Sequence, residues 1–120
     1  MGAIGNAESL PVLEDHCNDV VVEVAETCQL AKERIQWILD EQKKKEIENA
    51  YKENPYCSVD PTPSVSVKDT EELKSILLHE ELPLFERYRA MFALRNKGDE
   101  KSVLALAEGE WAFSYRSIVL

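Results

Sequence analysis

Apolar residues at spacings of three and four mark the first long element of the chain. Val21, Val24, Cys28, Ala31, Ile35 and Ile38 share one face of a helix that starts near Val20. Val20-Val21-Val22 has strand composition, but no turn residue interrupts the roughly thirty positions that follow, and Glu, Ala, Gln, Lys and Arg fill them, so helix prevails. Upstream, Asn6 is placed to cap a short helix over 7–17 that carries Leu10, Val12 and Leu13, and Asn18-Asp19 forms the turn between the two. Beyond Trp37 the segment DEQKKKEIENAYKE keeps helical propensity but loses its apolar positions, which predicts a helix fraying into solvent.

Pro55, Pro61 and Pro63 forbid a regular helix over 54–67. Periodicity returns at Asp69 or Thr70, either of which can cap a helix turning Leu73, Ile76 and Leu77 inward. After Pro83, Leu84, Tyr88, Met91, Phe92 and Leu94 predict another amphipathic helix, closed by Gly98 in a left-handed conformation. A final helix is predicted from Asp99 to about Glu108. Short helix pairs with tight turns predict an all-α fold of solenoid type. A weak internal similarity agrees: residues 23–31 overlay 87–95, with Leu30 on Leu94 and each segment in the second helix of its pair.

The formal charge of −9 on 120 residues argues against a nucleic-acid surface, which needs clustered Lys and Arg. Lys43 to Lys45 reads as a solvated face. Cys17, Cys28 and Cys57 are odd in number and lack CxxC spacing, which favours reduced thiols and a cytoplasmic setting. No apolar run approaches the ~20 residues of a membrane-spanning helix.

Candidate chemistry is sparse. His79-Glu80 is the one literal His-Glu pair, but it falls at the end of a first helix, where a surface or capping role is the simpler reading. His16 reads the same way, and Cys28 reads as a small core residue on the buried stripe. Glu23, Glu26, Glu71, Glu72, Glu80 and Glu81 form either an acidic surface for a lysine-bearing partner or ordinary solvated helix faces. Nucleotide-binding and hydrolase motifs are absent.

VVVEVAETCQLA at 20–31, SVDP at 58–61, LFERYRAMFALRN at 84–96 and LALAEG at 104–109 resemble deoxyhypusine hydroxylase, a HEAT-repeat family, over about residues 1–109. The resemblance implies the last repeat of the family's first half (1–40), the linker (41–68) and the first repeat of its second half (69–109), followed by a divergent tail (110–120). In that family two irons are held by four His-Glu pairs in second helices, a donor set suited to non-haem iron. The corresponding positions here are Val24-Ala25 and Tyr88-Arg89, which cannot build the site. MGAIG resembles the stretch just after such a pair, and the match breaks at Gly109 before the next, as expected of a truncated or spliced product or an incomplete gene model.

The resemblance implies hydroxylation of a deoxyhypusine side chain on a translation initiation factor by the complete enzyme, with two iron ions. For this chain alone the expectation is no catalytic, cofactor-binding or metal-binding residue, and no activity. No nucleic-acid or membrane partner is expected, while exposed repeat faces favour self-association and marginal stability. The competing reading is a small non-catalytic interaction module with HEAT-like surfaces.

Overall fold

The computed structural model describes residues 2, 4–66 and 69–119, with side chains through Glu110. Among the described residues the regular structure is all helical. A 3-10 turn (Ala7–Ser9) precedes α1 (Leu10–His16), α2 (Val22–Leu39), α3 (Lys44–Glu53), α4 (Thr70–Leu78), α5 (Leu84–Lys97) and α6 (Glu100–Val119). The chain divides into two compact units, Met1–Pro63 and Ser64–Leu120.

Side-chain oxygens cap the 3-10 turn at Asn6 and α4 at Asp69 and brace the turn before α2 at Asp19, whereas the N-caps of α1 and α2, Ser9 and Val21, make no side-chain cap bond. The Asn6 side chain accepts a hydrogen bond from the Glu8 N–H, Asp19 from the Val21 N–H and Asp69 from the Glu72 N–H, at 3.0, 2.9 and 3.2 Å. Gly98 closes α5 at φ 66°, where a Cβ would be strained, and its N–H donates to the Leu94 carbonyl.

In the first unit, α1 runs antiparallel to α2. Glu14 pairs with Lys32 at 2.7 Å, while Gly5, upstream of α1, lies against Ile38 near the far end of α2. The expected seam is only partly buried: Ile35 is fully enclosed, Cys28, Ala31 and Ile38 are half-buried, and Val21 and Val24 stand 48% and 39% exposed. Periodicity identifies the apolar face of α2 but not the reach of its partner, and α1 has only 7 residues against 18. The long helix also breaks earlier than expected. The Asp40 backbone is extended, and its carboxylate accepts from the Gln42 N–H at 2.9 Å, so 44–53 forms a separate helix instead of a fraying end.

The proline-rich stretch is non-helical but firmly tied. Asn54, 5% exposed, donates through its side-chain amide to the Ser58 carbonyl, the Ser58 hydroxyl and the Asp60 carboxylate, and accepts from the Tyr56 N–H. Ser58 in turn donates to Asp60 at 2.7 Å. The SVDP word is thus a polar knot.

In the second unit, α5 returns antiparallel to α4, since Arg87 near its start meets Leu77 at the end of α4, and Lys97 at its end meets Thr70. α6 then follows α4 in the same direction, with Lys74 on Glu108 and Gly109 against Leu77. Leu73, Leu77, Ala90, Ala93, Leu94 and Ala105 form the core. Ile76, Leu84, Tyr88, Met91 and Phe92, expected inside, are half-buried, whereas Phe85, Arg87 and Arg89 are buried. Contact with both α4 and α6 covers more of α5 than a single apolar stripe.

Leu30 and Leu94, equivalent in the internal overlay, are both buried. Of the residues expected to lie unshielded, Leu13 and Leu94 are buried, while Val21 and Leu104 are exposed. The last helix extends past Glu108 to Val119, and a capping role for Trp111, Phe113, Tyr115, Ile118 and Val119 lies outside the described side chains.

Two outcomes test this packing. A Cβ on Gly109 would sit 2.5 Å from Cδ2 of the fully buried Leu77, so Gly109→Ala should destabilise the second unit by about 1–3 kcal/mol in urea unfolding, with much of the loss recovered beside Leu77→Ala. Asp99 accepts from Ser102 at the start of α6, which holds its carboxyl below the ordinary value. A depressed carboxyl contributes stability above its unfolded value and loses it as pH falls through the folded one. Thermal melts should therefore show acid loss below about pH 4, and Asp99→Asn, which still caps, should remove that part of it.

Candidate functional site

The second-helix positions singled out by the resemblance, 24–25 and 88–89, fall in the first turn of α2 and the second turn of α5. Val24-Ala25 presents no ligand atom, and Val24 faces solvent. Tyr88-Arg89 presents a phenol and a buried guanidinium, with Arg89 Nη1 3.5 Å from Glu86 Oε2. Its main-chain carbonyl accepts from the Val65 N–H. A guanidinium has no lone pair to offer and repels a metal cation, so these residues do not fit an iron site.

His79 is the C-cap of α4, exposed, with its backbone N–H donating to the Ile76 carbonyl, and Glu80 beside it is exposed too. His16 ends α1, its Nδ1 3.5 Å from Asp19 Oδ2. The two histidines thus sit in helix-end positions. No group of three or more His, Cys, Asp or Glu side chains among the described residues is placed to hold a metal ion. Cys28 is half-buried on α2, and Cys17 and Cys57 are likewise free thiols. Glu23, Glu26, Glu71, Glu72, Glu80 and Glu81 are all exposed.

The first unit carries a polar concavity of about 610 Å³ between the end of α1 and the second half of α2, lined by residues that include Cys17, Lys32, Glu33, Trp37 and Lys43. The Lys43 ammonium lies over the Trp37 ring at 4.5 Å, a cation–π contact. Lys32 pairs with Glu14, which lowers the glutamate's pKa and raises the lysine's. Asp19 is held low mainly by the Val21 N–H.

Sequence reasoning missed Arg34. It lies on α2, 5% exposed, and donates to the Asp60 carbonyl at 2.9 Å, the Gly2 carbonyl at 3.3 Å and the Tyr51 hydroxyl at 2.7 Å. One side chain therefore ties the N-terminal segment, α3 and the polar knot to α2. An arginine in a helix rich in Glu, Gln and Lys carries no sequence signal of burial.

No protein-family model matches the chain. Deoxyhypusine hydroxylase of Danio rerio is 54% identical over 111 residues, spanning 91% of this chain and 35% of the relative. The Homo sapiens enzyme is 50% identical over 109 residues, 91% of this chain and 34% of that one. A solved structure of human deoxyhypusine hydroxylase in complex with glycerol superposes with a TM-score of 0.79 at 50% identity, over 89% of this chain and 35% of that structure. The chain is homologous to deoxyhypusine hydroxylase. It spans about a third of the length of the curated relatives it matches. Its helix pairs are those of the HEAT-repeat fold of that enzyme.

Writing a ligand pair into the deoxyhypusine hydroxylase repeat at α5 should cost stability without creating a metal site. Tyr88→His with Arg89→Glu places a buried carboxylate one turn from Glu86 and removes the Arg89 pair. Urea unfolding should show a loss of about 3 kcal/mol, with no stoichiometric iron gained.

Proposed function

We propose that this chain serves as a ligand-free scaffold section of the deoxyhypusine hydroxylase solenoid and does not catalyse the reaction by itself. In the complete enzyme the reaction is hydroxylation of a deoxyhypusine side chain on a translation initiation factor, with two irons supplying the oxygen chemistry. The observation that carries the reading is the pairing of high identity with Val24-Ala25 and Tyr88-Arg89 at the positions where the family's ligand pairs would stand. On this reading residues 1–40 are the last repeat of the first half, 41–68 the linker, 69–109 the first repeat of the second half and 110–120 a divergent tail. Its role is to hold helices in register for neighbouring repeats. A cytoplasmic setting is part of this reading, supported by the odd number and the spacing of the cysteines, and the acidic balance disfavours nucleic acid. No helix among the described residues is long and apolar enough to cross a membrane.

Metal analysis after anaerobic loading with ferrous iron tests this. The expected result is no stoichiometric iron, unchanged by His79→Ala; two irons per chain, lost on that substitution, would overturn it.

Exposed Val20, Val21, Val22 and Val24 at the start of α2, and Val103 and Leu104 on α6, favour self-association, and also keep a second reading in play, a small interaction module. Urea unfolding at several protein concentrations separates the two. Stability that rises with concentration is expected from the scaffold section, whereas a cooperative, concentration-independent monomer transition of ~5 kcal/mol or more would favour the module.

A further inference from the structure

Arg34 is a buried cation whose partners among the described residues are all uncharged oxygens, two carbonyls and the Tyr51 phenol. Enclosing a guanidinium without an anion is costly, and its planar fork suits a phosphate better than any of these groups. The carboxylate of Asp60, the residue whose carbonyl Arg34 holds, accepts hydrogen bonds from Asn54 and Ser58. Tyr51, by contrast, reaches Arg34 from outside: its oxygen is 2.7 Å from Nη2 while the residue is 43% exposed. It sits on α3, a helix with no buried residue, which can lift from α2 without opening the core. Exposed Glu46, Glu48 and Glu53 give the tyrosine an acidic setting on the same helix.

We propose that Tyr51 is a phosphorylation site for a tyrosine kinase and that Arg34 is the built-in receptor for the phosphate. The Tyr51 Oη attacks the γ-phosphorus of ATP; the Oη–P bond forms as the bond to the bridging oxygen breaks, ADP leaves and the phenolic proton passes to the kinase's base. Redocked, the phosphate brings nearly two negative charges and three acceptor oxygens to a guanidinium that has no anionic partner. Arg34 also holds the Asp60 and Gly2 carbonyls, so modification fastens α3, the polar knot and the N-terminal segment together. The proposal is independent of the scaffold reading, because it concerns only contacts within the first unit.

The full chain carrying Tyr56→Phe, Tyr88→Phe and Tyr115→Phe, which leaves Tyr51 as its one tyrosine, should take up one phosphate from ATP and a broad-specificity tyrosine kinase under native conditions. Amides of α3 and of 54–60 should then exchange roughly ten-fold more slowly. The phosphate should titrate by ³¹P NMR below the ~6 of an unperturbed phosphate ester. Arg34→Gln should abolish both effects. Arg34→Lys, which keeps the charge and loses the fork, should keep the titration shift and lose most of the protection. Modification of Tyr51 only in urea, exchange in α3 that is unchanged or faster after phosphorylation, or the same titration with arginine, lysine or glutamine at 34 would each overturn the proposal.

Discussion

The last carbonyls of a helix have no partner within it, and a chain built of short helices has many such ends. Segments between helices leave main-chain carbonyls open in the same way, and each unit encloses an arginine that serves carbonyls of one kind or the other. Arg34 reaches from α2 to the Asp60 and Gly2 carbonyls, and Arg87 reaches from α5 to the Leu77 carbonyl in the last turn of α4. Both side chains are almost fully buried. Carbonyls meet part of the hydrogen-bonding need of these guanidinium groups, and at Arg34 they do so without an anion. The same bonds fix geometry: losing Arg34 would free three segments at once.

Around these anchors the packing is close but thin. The second unit keeps its core narrow with Ala90, Ala93 and Ala105, and with Gly109 where α6 passes Leu77. Small residues at a helix contact let backbones approach, and they leave no room for added volume. In the first unit α1 covers only part of α2, and the valines at 20, 21, 22 and 24 remain open to solvent. Stacked helix pairs bury such faces against the next repeat, which agrees with the likeness to about a third of a HEAT-repeat enzyme.

That likeness lies in structure and sequence. At positions 24–25 and 88–89, singled out by the resemblance, this chain holds valine, alanine, tyrosine and arginine. Arg89 is worked into the packing, paired with Glu86 and bearing the carbonyl that receives Val65, so the position serves structure.

Local chemistry determined the 3-10 turn at Asn6, the turn at Asp19, the start of α4 at Asp69 and the stop of α5 at Gly98, because these residues act on backbone groups within a few positions and their effect is readable from the string. The non-helical course of 54–66 followed from its prolines in the same way. Tertiary structure decided how deep each apolar stripe is buried, because that depends on the length and approach of a partner helix: Val24 and Leu94 look alike in sequence, yet one is exposed and the other enclosed. It also decided the fates of Arg34, Arg87 and Arg89. A charged side chain is buried only where distant carbonyls or carboxylates converge to receive it, and residues 17, 26 and 32 positions away along the chain leave no periodic trace of meeting at Arg34.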